Sequence, residues 1–246
     1  MNPDVMVAAH NNAEWCDIVC RTHGITAAFY PHVWASPKRT PPFYPDAVTL
    51  DVAARAEDIL ELVDTSTGCS VKDSFAGLDL SSAGFRILFE GEWIHLAQHR
   101  SAPAHATTLQ WRRVGDVAGL RDWEAAWRGE LVSSQIFRPA LLDQPTVVIL
   151  GGYRRGRIMA GAIVNRSRAA IGVSNLFTTT VGDLGDAWSG CIATVGRAFP
   201  KLPIVGYESG DAIIAPHKLG FKSIGRLRIW IKEDGGGGGR AKTTSS

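Results

Sequence analysis

At 246 residues with 45% hydrophobic side chains, the chain is long enough to bury a substantial core, as one large domain or two small ones. Its 26 basic and 24 acidic residues leave a net charge of +2 and are spread along the sequence; this excludes a nucleic-acid footprint or an anionic-membrane patch and favours a small-molecule or protein partner. No apolar run approaches the roughly 20 residues that span a bilayer, residues 1–12 lack the basic and apolar regions of a leader, and Cys is too sparse for a disulfide framework, so a soluble cytoplasmic protein is expected, as monomer or homodimer.

Asn11 and Glu14 have capping-box spacing and predict a helix carrying Trp15, Ile18 and Val19 on one face, stopped at Gly24. Residues 30–45 are crowded with Pro and aromatic side chains, Trp34 among them, which cannot continue a helix or supply a central strand. They read as an ordered loop, long enough to be a lid or pocket wall. Residues 47–50 read as a short strand and 52–63 as a helix with Ala53, Ala56, Ile59, Leu60 and Val63 on one face. A strand near 69–75, a polar turn with Leu78 and Leu80, and a strand ending Glu92-Trp93-Ile94 follow, and residues 98–107 have linker composition.

Beyond the linker come a strand at 109–114 and a Trp-bearing helix at 120–127. Three strands at 146–150, 157–165 and 169–177 are joined by turns placed at Gly151-Gly152 and Asn165-Arg166-Ser167. A helix at 188–199 is stopped by Pro200. Residues 203–231 then supply a β-branched run, a polar turn with Gly210, a brief helical segment, Leu219-Gly220-Phe221 and a final alternating strand. The order Val71 to Phe75, Gly84-Phe85, Trp93-Ile94 lines up with Val205 to Ser209, Gly220-Phe221, Trp230-Ile231, which suggests an internal repeat of long period. The alternative is two unrelated segments that share a common punctuation.

Strand, helix, three antiparallel strands, helix, strand, helix, strand resembles the GCN5-related N-acetyltransferase (GNAT) superfamily over about residues 109–232. The resemblance implies an α/β (α+β) fold, a GNAT-like mixed sheet flanked by helices. With the repeat it implies two GNAT-like halves: residues 1–106, with the aromatic and Pro-rich loop, and residues 107–234, followed by a disordered tail over 235–246. It also implies an acetyl-CoA-dependent N-acyltransferase acting on a small amine or amino acid.

A GNAT domain holds the CoA pyrophosphate on backbone N–H groups at the start of the helix after its fourth strand, commonly through Gln/Arg-x-x-Gly-x-Gly/Ala. The matching stretch, residues 178–186, reads Thr-Thr-Thr-Val-Gly-Asp-Leu-Gly-Asp. Gly182 and Gly185 are present, the leading Gln or Arg is absent, and Asp183 and Asp186 bring negative charge. The implied cofactor contacts are Phe177, Thr178, Val181, Gly182 and Gly185.

Asn175 and Phe177 would lie beside the acyl group, with Asn175 toward substrate, and Tyr207 and Glu208 would end the neighbouring strand. The chemistry requires a base for the amine and an acid for the leaving thiolate, roles for which Glu208 and Tyr207 are the candidates. Asp211 would attract a cationic substrate and Trp34 would wall the acceptor pocket. The alternative is that Tyr207 is core while Glu208 and Asp211 cap the last helix. Lys72 and Asp73 occupy the equivalent place in the first half, as a second catalytic pair or as a solvated strand end. If the halves face each other across a pseudo-twofold, Lys72, Asp73, Tyr207 and Glu208 converge.

Cys16, Cys20 and His23 share a helix face but lack Cys-x-x-Cys spacing, so core packing is expected and no metal. Two further function classes stay open: a GNAT-fold enzyme without CoA, running lyase or decarboxylase chemistry, and a non-catalytic ligand-binding protein.

Overall fold

A computed structural model describes residues 2–97, 108–129, 135–180 and 183–233. In chain order the elements are α1 (Pro3–Thr22), β1 (Ala28–Phe29), β2 (Val33–Ala35), β3 (Ala47–Thr49), α2 (Ala56–Leu60), β4 (Ser70–Asp73), β5 (Phe85–Leu96), β6 (Gln110–Arg113), α3 (Val117–Arg128), β7 (Val147–Arg154), β8 (Arg157–Arg166), β9 (Ile171–Thr178), α4 (Leu184–Ala198), β10 (Ile204–Glu208), α5 (Ile214–Lys218) and β11 (Lys222–Lys232). They fall into two compact units, residues 2–93 with 224–233, and the described residues of 94–223. The linker read over 98–107 and the tail over 235–246 lie outside the described residues.

The first unit opens with α1, which starts ahead of the expected position at Asn11. Asn2 caps it by accepting the Asp4 N–H at 3.0 Å, and Pro3 takes the first turn, where its missing donor is harmless. Asn11 is a buried residue of the helix interior. The strands follow in the order β1-β2-β3-β4-β11-β5, with β3 and β4 parallel and β11 antiparallel to β4. The chain's last strand thus returns to the unit that its first residues began.

Alternate residues of these strands face opposite sides, as a pleat requires. Val33, Ala35, Ala47 and Val71 join Ile59, Leu80, Phe85 and Trp230 in one buried cluster. Trp34, between Val33 and Ala35, is 0% exposed and gives its indole N–H to Asp17 of α1 at 3.2 Å. The expected pocket wall is therefore a core residue of a strand, because aromatic packing overrides the loop signal of the neighbouring prolines. The helix read over 52–63 shrinks to α2, its earlier residues taken by a turn in which Asp51 accepts the Ala53 N–H at 2.7 Å.

In the second unit β6, β7, β8 and β9 form an antiparallel meander, and β10 returns parallel to β9 after α4. The first hairpin turn is Arg155-Gly156, at φ +50° and +78°, as a two-residue turn demands. Gly151 and Gly152, expected there, lie inside β7 opposite Gly161 and Ala160. Glycine is required at Gly161, where a Cβ would enter the Trp123 indole and the Phe177 ring, and at Gly190, where it would enter the Trp111 indole. These two approaches seat α3 and α4 against the sheet. Trp123 also donates its indole N–H to the Leu150 carbonyl at 2.8 Å, and Trp188 meets Phe221 edge-on at 5.1 Å.

The tandem repeat expected from the sequence is not confirmed; what the two Gly-Phe pairs share is a local turn. In the first unit the Gly84 N–H bonds Ser81 O and the Phe85 N–H bonds Leu80 O; near the C-terminus the Gly220 N–H bonds His217 O and the Phe221 N–H bonds Pro216 O. Both glycines have positive φ, and each pair closes a helical turn and launches a long strand, β5 or β11.

Candidate active site

The parallel pair β9 and β10 organises the site in the second unit. Their paired residues are Ile204 with Ile171 and Val205 with Gly172, and the pairing goes no further. Continued at that register, Tyr207 falls level with Ser174 and Glu208 with Asn175. On its other side β9 carries a bulge: between the pairs Gly161↔Phe177 and Ile163↔Ser174 it spends one residue more than β8. Asn175 sits in that bulge at φ +51°, a left-handed conformation that Asn tolerates better than most side chains. Strain of this kind persists where the surrounding structure holds it, and it gathers at functional sites.

Glu208 ends β10 at 6% exposure. No hydrogen bond or ion pair to another described residue holds its carboxylate, and burial pushes its carboxyl up to about 8. It is therefore mostly neutral at pH 7 and ready to trade a proton. Asn175 Oδ1 and Ser174 Oγ are buried and lack a hydrogen-bond partner among the described residues. Buried polar atoms usually find partners, so these two orphans on the strand next to β10 are exceptions. Ser174 was missed in the sequence; its signal was two polar residues in succession inside the apolar run Ile171 to Phe177.

Tyr207 is half-buried beside Glu208, and Asp211 is exposed in the short turn Gly210–Ile213. Phe177 lies edge-on to Trp123 at 5.1 Å and is 9% exposed, so its ring packs under α3. Thr178 closes a turn, its Oγ1 accepting the Thr180 N–H at 3.2 Å. Val181 and Gly182 lie outside the described residues. Gly185 is in the first turn of α4 with open space where a Cβ would stand.

Lys72 and Asp73 belong to the first unit. Asp73 is 1% exposed and accepts the Leu78 N–H at 2.9 Å and the Phe75 N–H at 3.3 Å, which makes it the holder of the turn after β4. Lys72 is 3% exposed, donates to Asn12 Oδ1 at 2.7 Å and lies 5.9 Å from the Trp93 ring centroid. Both side chains thus have structural contacts of their own, since a charge leaving an apolar strand can be satisfied locally as well as by substrate.

The order β6–α3–β7–β8–β9–α4–β10–α5, with its bulged strand and its parallel return, is the observation that settles the architecture. The chain has the GNAT fold. In a comparison with solved structures it is similar to a GCN5-related N-acetyltransferase from Kribbella flavida (TM-score 0.60, 13% identity, 93% of this chain and 96% of the other). It is also similar to an acetyltransferase of the GNAT family from Novosphingobium aromaticivorans (0.53, 11%, 92% and 99%) and to a GCN5-related N-acetyltransferase from Sphaerobacter thermophilus (0.51, 11%, 72% and 64%). Neither a family profile nor a curated protein matches the sequence.

A CoA thioester is the ligand expected from the resemblance, and the start of α4 is where its diphosphate would rest. No side chain caps that helix, so its first-turn donors at Leu184, Gly185 and Asp186 have no capping acceptor among the described residues, and Gly185 allows close approach. Asp186 Oδ2 accepts from Thr108 Oγ1 at 3.4 Å, and the same hydroxyl accepts from Arg154 at 2.7 Å, which sets a cation near that carboxylate. The backbone therefore fits a diphosphate, and Asp183 is the charge that opposes it.

The four cysteines are free and buried, and burial raises the thiols of Cys16 to about 11 and Cys191 to about 12, which suits core residues and not nucleophiles. Among the described residues no group of three or more His, Cys, Asp or Glu could hold a metal, and no helix is long and apolar enough to cross a membrane.

Proposed function

We propose that this protein is an acyl-CoA-dependent N-acyltransferase acting on a small amine, with Glu208 as its general base. The observation that carries the reading is Glu208 itself, a buried carboxyl without a hydrogen-bond or ion-pair partner among the described residues and raised to about 8. A base is most effective when its pKa lies near the working pH, and Glu208 meets that condition through desolvation alone. When bound, the CoA thioester supplies an activated acyl carbonyl. First-turn amides of α4 and Gly185 would hold its diphosphate. Ser174 and Asn175 offer unused acceptor and donor groups one strand away from Glu208, suited to orienting the amine and acyl parts. Glu208 takes the proton that the amine loses on forming the amide. Tyr207, adjacent on the same strand, is the candidate to return a proton to the leaving sulfur.

The test is turnover of acetyl-CoA with a panel of small primary amines, wild type beside Glu208→Gln. Turnover in the wild type that falls by roughly 10²–10⁴ in the variant supports the reading. Calorimetry that finds no acetyl-CoA binding at millimolar concentration would move it to a GNAT-fold enzyme that works without CoA.

A further inference from the structure

A cleft in the second unit shares no residue with the site around Glu208. It has a volume of about 470 Å³ and runs between α3 and the sheet edge made by β6 and the β7–β8 hairpin. Asp116, Gly119 and Asp122 line one wall; Arg112, Tyr153 and Arg157 line the other. Its size lies within the range of small-molecule sites.

Some of these charges are already used. Asp116 caps α3 by accepting the Gly119 N–H at 2.7 Å, and Arg113, at the rim, donates to the Leu142 carbonyl at 3.0 Å. Arg112, Arg157 and Asp122 are different: none makes a hydrogen bond or ion pair with a described residue, although opposite charges line the same cleft. The Arg112 guanidinium carbon lies 4.1 Å from the Tyr153 ring centroid, so one flat face of the fork is held and its N–H edge stays available. The walls therefore hold two unspent guanidinium groups and, across a gap, one unspent carboxylate. The complement of that set is a molecule with two carboxylates and one ammonium.

We propose that this cleft binds an acidic α-amino acid, its carboxylates on Arg112 and Arg157 and its ammonium on Asp122. Guanidinium is the group best matched to carboxylate, because its parallel N–H donors meet both oxygens. A simple dicarboxylate would satisfy the arginines and leave Asp122 repelling; a neutral zwitterion would leave one arginine idle.

The experiment is calorimetry with L-glutamate, glutarate and L-alanine on the wild type, Arg112→Gln, Arg157→Gln and Asp122→Asn, with melting temperatures checking that each variant is folded. The three side chains are exposed, so folding is expected to be intact. L-glutamate should bind more tightly than the other two, and each Arg variant should weaken it by about fivefold, the scale of an exposed ion pair. Asp122→Asn should weaken L-glutamate and strengthen glutarate. No L-glutamate binding at ~10 mM, where even a Kd weaker than millimolar registers, overturns the proposal. So does binding that ignores all three substitutions, or glutarate equal to L-glutamate in the wild type. Acyl transfer is not read in this assay, so its result is separate from the assignment of Glu208.

Discussion

Replacing the proposed base should make the protein more stable. Burial raises the Glu208 carboxyl from 4.5 to about 8, so the native state keeps a proton through a window in which the unfolded chain releases it. The stability supplied by the neutral carboxyl is complete below pH 4.5 and is lost as pH rises through about 8. At ~1.4 kcal/mol per pH unit, the loss is under ~1 kcal/mol at pH 5, ~3 kcal/mol at pH 7 and nearly ~5 kcal/mol above pH 8. Glutamine has the shape of the protonated acid and cannot ionise, so Glu208→Gln escapes this loss. Its melting temperature should match the wild type near pH 4.5 and exceed it at pH 7 by roughly 6–12 °C, taking 2–4 °C per kcal/mol for a chain of this size. Thermal unfolding by circular dichroism across pH 4.5–8.5, beside turnover at each pH, is the assay. The wild-type rate should climb with unit slope to about pH 8, a limb absent from the variant. A variant that melts lower than the wild type at pH 7 would refute the reasoning, because it would mean that the carboxylate is ionised and paired.

Three further outcomes are expected. Asp183→Asn should tighten acetyl-CoA binding by about two- to fivefold in calorimetry at low salt, a gain that shrinks as salt is added. Asp73→Ala frees the Phe75 and Leu78 N–H groups and should cost ~1–3 kcal/mol in urea unfolding, with turnover per folded molecule unchanged; loss of turnover alone would return Asp73 to the catalytic set. Gly161→Ala forces a methyl into the Trp123 and Phe177 rings and should destabilise by ~1–3 kcal/mol, read as a lower urea midpoint.

The meander β7 to β9 and the strand β11 were legible because their Val and Ile runs are long and bounded by turn residues, and α4 because its apolar face repeats at helical spacing. The turn of the first hairpin was misplaced because Gly151-Gly152 is a stronger turn signal than Arg155-Gly156; glycine serves there under the Tyr153 and Trp111 rings, a use that no local pattern reveals. Trp34 was read as loop because its strand is three residues long and lies between Pro31 and Pro37. At the candidate site the polar character of Asn175, Tyr207 and Glu208 was plain from the chain. What sets the carboxylates apart is burial: Glu208 loses water without gaining a partner among the described residues, whereas Asp73 gains two backbone donors. That difference depends on the turn each carboxylate meets after its strand, and sequence spacing does not encode it.

The pairing of β11 with β4 has a consequence for synthesis. Arg228 meets Asp73 and Ile231 meets Ser70, so one edge of β4 stays unpaired until residues 228–231 have been made. The second unit is continuous in sequence and can collapse while the ribosome still holds the C-terminus, but the first must wait with an open strand edge. Residues 94–223 can thus fold before residues 2–93 have their full set of strands. A ribosome that stalls before residue 224 would leave residues 94–223 able to fold and residues 2–93 without β11, exposed to chaperones and proteases.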